Sequence, residues 1–312
     1  MPPRLAPSVR FSVLRRLYST AADQTPLVRV TNIPAAGSGH VRVFEMNRPS
    51  ARNALSRSLV AALRTEIDDL HRQYTPEGAE TPHAVATSDG PTRAVVLASA
   101  VDASFCAGAD LKERKTFTQK ETADFLSHLR ETFNLLAALP IPSICAISSI
   151  ALGGGLELAL TTDLRVFSSN AVVGLPETRL GIIPGGGGCH RLPPLIGPSR
   201  ARDVILTGRR VAAPEAYFLG IADRLVEVEV PEGSPKEDVL PLARKAALDE
   251  AVRLAQEICE GAPIAIRASL EAARWAREDK ENEMSRRVVV TEDRNEALRA
   301  FAEKRKPVFK GY

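Results

Sequence analysis

Two short glycine-rich blocks carry most of the chemistry this chain can do. They are Ser104-Phe105-Cys106-Ala107-Gly108-Ala109-Asp110-Leu111-Lys112-Glu113 and Ala151-Leu152-Gly153-Gly154-Gly155-Leu156-Glu157-Leu158. Each ends a stretch that reads as a buried strand and opens one that reads as helical. Glycine at such a junction lets backbone N–H groups point at a ligand with no Cβ in the way. Two N–H groups facing one point form an oxyanion hole, which stabilises an enolate or a tetrahedral oxyanion. The second block contains Glu157, and Glu177 follows twenty residues later in Leu175-Pro176-Glu177-Thr178. Taken singly, Glu157 reads as a helix-surface charge and Glu177 as a cap or a solvated carboxylate. Placed together at one small site, they push their pKa values apart and can divide the work of acid and base.

The elements that must position these groups follow from periodicity. Residues 28–31 and 41–46 alternate apolar with polar, as half-buried strands do, and Leu55, Leu59, Leu63, Ile67 and Leu70 recur at helical spacing. Residues 93–98 and 143–147 read as buried strands, with a helical period over 122–139 between them. Strand, crossover helix, strand is the pattern of a parallel sheet, which predicts an α/β fold. Residues 74–92, rich in Pro, Gly, Ser and Thr, read as a mobile loop. After a short strand at 225–228 and a surface linker at 230–237, the chain from Asp238 onward reads as long helices. Their apolar positions, among them Leu254, Ala255, Ile258, Ile264 and Ile266, need a partner surface.

Composition excludes several classes. A net charge of +3 over 312 residues argues for neither nucleic acid nor a membrane surface. No apolar run approaches the roughly 18–20 residues that cross a bilayer. The four cysteines (Cys106, Cys145, Cys189, Cys259) have no CxxC spacing, so they read as buried free thiols, with no metal site. The run Gly185-Gly186-Gly187-Gly188 lacks the Lys-Ser/Thr of a phosphate loop. Residues 1–22 carry four arginines and no acid, the composition of a mitochondrial transit peptide, with the mature start near Ser19.

These blocks, their spacing and the pair of glutamates resemble the crotonase (enoyl-CoA hydratase/isomerase) superfamily, densest over 105–192 and extending over 27–312. The resemblance implies a crotonase-like spiral of ββα units over 23–228, holding the coenzyme A and acyl site, and a helical C-terminal trimerisation region over 229–312. It places the oxyanion donors at the backbone N–H of Ala109 and Gly154. It gives Glu157 the task of activating water and Glu177 that of handling the α-proton. Having both glutamates points to a hydratase. It places the acyl-CoA against Arg52, Ala107, Asp110, Leu111, Lys112 and Gly153, and gives the glycine run 185–188 a role in the shape of the acyl pocket. No cofactor beyond the coenzyme A of the substrate is implied, and a mitochondrial matrix trimer or hexamer is expected.

Wording such as Gly108-Ala109-Asp110-Leu111-Lys112-Glu113-Arg114 and Pro184-Gly185-Gly186-Gly187-Gly188 resembles the members that hydrate 3-methylglutaconyl-CoA in leucine breakdown. The alternative is a general short-chain enoyl-CoA hydratase of fatty-acid β-oxidation. A free carboxylate at the far end of the acyl group would need a cation, for which Arg114 and Lys115 are the candidates. An RNA-binding reading, on AU-rich elements through a basic helix at 56–73, is disfavoured. That segment sets Arg57, Arg64 and Arg72 against Glu66, Asp68 and Asp69, with no lysine. Two departures from the resemblance stand out. Ser149 replaces a usual Gly beneath the second donor, where it is expected to alter the pocket floor, and Cys189-His190 replaces a usual Thr-Gln.

Overall fold

A computed structural model describes residues 25–86, 88–229 and 236–312. The transit peptide expected over 1–22 and most of the linker expected over 230–237 lie outside those residues.

The chain opens with an antiparallel pair, β1 (Val28–Pro34) and β2 (His40–Met46). A 3-10 turn over Pro49–Ala51 leads to α1 (Arg57–Arg72), whose N-cap Ser56 accepts the Leu59 N–H at 3.2 Å. Leu59, Val60, Leu63, Ile67 and Leu70 of α1 are buried. Leu55 is buried too but precedes the helix, bridging in parallel to Ala109. One helical turn, α2 (Pro82–Val85), leads to the fully buried β3 (Thr92–Ser99). A short α3 (Leu111–Arg114) and the crossover helix α4 (Gln119–Ala137) follow. Helix α4 begins three residues earlier than its apolar period suggests, because Thr118 and Glu121 close a reciprocal capping box.

Next come β4 (Ser143–Ile147), β5 (Ile150–Leu152), α5 (Gly154–Ala159), β6 (Leu164–Ser168) and β7 (Val172–Gly174). A 3-10 turn over Pro176–Leu180 precedes α6 (Gly188–Ile196), α7 (Pro198–Thr207), β8 (Arg210–Ala212), α8 (Ala213–Leu219) and β9 (Arg224–Val226). Four helices close the chain: α9 (Lys236–Cys259), α10 (Pro263–Trp275), α11 (Glu278–Val288) and α12 (Glu292–Glu303).

The main sheet has strand order β1-β2-β3-β4-β6-β9, parallel from β2 onward, and a smaller sheet has order β5-β7-β8. Alternation along the central strands sorts two cores. Phe44, Met46, Val95, Leu97, Cys145, Ile147 and Phe167 face one way, toward α1, α4 and the glycine blocks. Val41, Val43, Ala94, Val96, Ala98, Ile144, Ala146 and Val166 face the other, where α9 lies on them through Ala247, Ala251, Leu254, Ala255 and Cys259. Alanine every fourth residue lets the helix approach the sheet closely. Leu254 and Ala255 thus find their partner surface within the same chain.

Where a mobile loop was expected over 74–92, the described residues are tied down at Tyr74 and Glu80. Tyr74 is buried and its hydroxyl donates to the Thr92 carbonyl. Glu80 pairs with both Arg93 and Arg267, the latter at 3.1 Å. Its Pro and Gly content marks turns, and the ion pairs and buried ring fix them. No helix among the described residues is long and apolar enough to cross a membrane.

Candidate active site

The two glycine blocks run side by side. Cys106 and Ala151 form a parallel bridge, with the Cys106 N–H donating to the Ile150 carbonyl and the Leu152 N–H to the Cys106 carbonyl, each at 3.1 Å. Residue 155 must be glycine for this approach, since a Cβ there would lie 2.3 Å from the Cys106 carbonyl oxygen. Both chains then turn through positive φ, +94° at Gly108 and +53° at Gly153. A Cβ on Gly108 would sit 2.6 Å from the Leu152 carbonyl oxygen and 3.6 Å from the Gly154 nitrogen, so the two turns touch.

Each turn delivers one unpaired N–H. Gly154 is the first residue of α5, where a helix leaves its N–H groups without internal partners. Ala109 bridges to Leu55 through its neighbours: the Leu55 N–H donates to Gly108 at 2.7 Å and the Asp110 N–H to Leu55 at 3.3 Å. That pattern turns the Ala109 N–H away from Leu55. Neither N–H donates to any group among the described residues.

The two glutamates stand beside these turns in different surroundings. Glu157, on the first turn of α5, is 2% exposed, and its Oε1 accepts the N–H of Gly186 at 2.8 Å and of Gly188 at 2.9 Å. Arg130 Nε holds the Gly185 carbonyl at 2.6 Å and Arg191 Nη1 the Gly186 carbonyl at 2.9 Å, which fixes the glycine run. The run was expected to serve shape; it also supplies donors to a carboxylate. Burial pushes the Glu157 carboxyl up, against the pull of those N–H groups.

Glu177 lies in the 3-10 turn Pro176–Leu180 and is 7% exposed. Its Oε2 is buried and has no hydrogen-bond partner among the described residues. Burial, opposed by its own backbone N–H and by Arg114 and helped by the charge of Glu157, pushes this carboxyl up to about 7. A Cβ on Gly153 would fall 2.9 Å from Glu177 Oε1, so this carboxyl abuts the turn that presents the Gly154 N–H. A cavity of about 500 Å³ is lined by Ala109, Gly154, Glu157 and Glu177 together.

The remaining candidates divide by position. Ala107, Leu111, Gly153 and Arg114 line the cavity. Asp110 caps α3, its Oδ1 accepting the Lys112 and Glu113 N–H groups at 3.1 Å, and pairs with Arg48 at 2.7 Å. Although burial raises it, these partners hold its carboxyl below the ordinary value. Arg52, in left-handed backbone at φ +51°, is exposed, and its carbonyl takes the Ala107 N–H at 3.0 Å. Lys112 and Lys115 are exposed and outside the cavity lining. Ser149 is buried, its hydroxyl without a partner among the described residues, and it is not among the residues that line the cavity. Cys189 is exposed, unlike the other three cysteines, contrary to the buried thiol expected, and partial desolvation and the charges of Glu157 and Glu177 push its thiol up.

Asn53 is a residue whose importance spacing did not show. Fully buried at φ +55°, it accepts the Arg48 N–H at 2.7 Å and donates to Met46, Ser99 and Phe105, knitting the start of α1 to the first block. On α1 every arginine is paired: Arg57 with Glu121, Arg64 with Asp68 and Arg72 with Asp69. That leaves no row of free cations on the helix. Among the described residues no group of three or more His, Cys, Asp or Glu is placed to hold a metal.

Comparison with known proteins gives consistent matches. The family profile described as enoyl-CoA hydratase/isomerase matches residues 37–312. Methylglutaconyl-CoA hydratase 1, mitochondrial, of Pyricularia oryzae is 61% identical over 95% of this chain and 90% of that protein. The human methylglutaconyl-CoA hydratase, mitochondrial, is 36% identical over 95% of this chain and 81% of that protein. The crystal structure of an enoyl-CoA hydratase from Bacillus anthracis superposes with a TM-score of 0.76 at 34% identity, covering 92% of this chain and 100% of that one.

Proposed function

The chain belongs to the enoyl-CoA hydratase/isomerase (crotonase) family and is a hydratase-type lyase acting on acyl-CoA, and we propose that its substrate is 3-methylglutaconyl-CoA. The observation that carries the mechanism is the cavity in which two unpaired N–H groups and two unlike carboxyls meet. The thioester oxygen sits between the Ala109 and Gly154 N–H groups, which accept the charge that develops when a nucleophile adds at the β-carbon. Glu157, whose backbone donors favour the carboxylate, takes a proton from water as its oxygen bonds to the β-carbon. Glu177, held protonated near neutrality by burial, delivers a proton to the α-carbon. Every step uses groups of this chain, and the reading needs no metal or redox cofactor. The names of the Pyricularia and human relatives support the substrate and a mitochondrial place of action, which we take to be the matrix.

Comparing kcat/KM for 3-methylglutaconyl-CoA with that for crotonyl-CoA tests the substrate. Preference for the first is expected. A preference for crotonyl-CoA assigns the enzyme to short-chain β-oxidation and removes the proposed substrate.

A further inference from the structure

The acyl cavity contains a cation with no ion-pair or hydrogen-bond partner among the described residues. Arg114, the last residue of α3, lines the cavity together with apolar residues of α4, Leu126 and Leu129. Its guanidinium carbon lies over the Phe125 ring, 5.0 Å from the ring centre. Its Nε is buried without a hydrogen-bond partner, and among the described residues its side chain makes no ion pair. The other arginine of the lining, Arg130, is already engaged through Nε with the Gly185 carbonyl. The catalytic carboxyls act on Arg114 through their charge but make no hydrogen bond or ion pair with it: Glu157 is held by Gly186 and Gly188, and Glu177 Oε2 is unpartnered.

A half-buried guanidinium with open donors in a ligand cavity is costly unless the ligand supplies an acceptor. Arginine presents a planar fork that matches a carboxylate with two parallel hydrogen bonds. We propose that Arg114 is the specificity-determining residue of this site, binding a free carboxylate at the distal end of the acyl chain. The substrate class is then enoyl thioesters of dicarboxylic acids, of which the methylglutaconyl thioester is one. This inference rests on the enoyl-CoA reading of the cavity. It separates Arg114 from Lys115, which the sequence alone left as equal candidates and which lies exposed outside the lining.

The test compares two thioesters in the wild type and in Arg114→Gln and Arg114→Lys. One is 3-methylglutaconyl-CoA; the other is its distal methyl ester, which keeps the shape and loses the charge. Breaking one partner of a desolvated charge pair lowers the ratio of kcat/KM, acid over ester, by on the order of 10²–10³-fold in Arg114→Gln. Arg114→Lys, which keeps the charge and loses the fork, falls between. If Arg114 acts only on the glutamates, both thioesters lose rate together and the pH profile shifts while the ratio stays. A ratio within about threefold of wild type in Arg114→Gln overturns the proposal. The parent reading fails separately, through a wild type that hydrates neither thioester.

Discussion

Glu157 and Glu177 are both buried and both shifted upward, yet Glu157 accepts two backbone N–H groups and Glu177 Oε2 accepts none. Hydrogen bonds to the charged form favour it, so the pair separates into a base and an acid. Glu157→Gln and Glu177→Gln are each expected to lower kcat for hydration by about 10²–10⁴-fold while acyl-CoA still binds. Near-normal turnover in either variant would remove that glutamate from the mechanism. The free enzyme needs Glu177 protonated, so kcat/KM for hydration should fall as pH rises through about 7, and rise on the acid side as Glu157 ionises. A flat profile between pH 6 and 9 contradicts this. Stability gives an independent reading. The folded-state pKa of Glu177 is raised, so its contribution is fully present below the unfolded value and is lost as pH passes about 7. Glu177→Gln should therefore melt about 2–6 °C above wild type at pH 8 and no higher at about pH 4, below the unfolded value. Equal melting at both pH values would show that the carboxylate is not buried at a cost.

At the scale of elements, the site depends on two turns that only glycine can make so close together. Gly108→Ala must place a Cβ 2.6 Å from the Leu152 carbonyl oxygen at φ +94°. The variant should lose about 2–4 kcal/mol of stability and, because the Ala109 N–H moves with it, about 10²–10³-fold in kcat. Gly181→Ala is the control: its φ is +73° but nothing lies within 4 Å of an added Cβ, so only backbone strain of about 1 kcal/mol is expected. Denaturant melts and turnover on the two variants decide whether crowding or φ alone matters. If both variants behave alike, contact between the turns is not what positions the donor. The glycine spacing in the sequence already marked these turns, and alternation marked β2 as a half-buried strand, while β3 and β4 read only as buried strands. What it could not mark were partnerships across long separations. Glu80 with Arg267, Arg48 with Asp110, and the four bonds of Asn53 follow from tertiary contact and have no period. Nor could spacing show that the 185–188 run would donate to Glu157, since that depends on where α6 begins relative to α5.

Considered as a whole molecule, the chain covers both faces of its main sheet, one with α9 and the other with α1 and α4. It nevertheless leaves large apolar side chains in water: Leu206 on α7 is 70% exposed, Phe218 on α8 77%, and Phe301 on α12 85%. Scattered exposed apolar groups are ordinary, but large apolar side chains this open on three helices outside the sheet suit a partner surface. We propose that these helices join copies of the chain into a trimer, or a hexamer of two trimers. Light scattering at micromolar concentration should give a mass of three or six chains, and melting should depend on protein concentration. Phe218→Asp and Phe301→Asp replace side chains that touch little within one chain, so each should cost a lone protomer under about 0.5 kcal/mol. In an assembly, each would instead bury an unpaired charge, and smaller species with lower melting temperatures should appear. A wild-type monomer with full activity at micromolar concentration would refute the assembly and leave the chemistry of the site untouched.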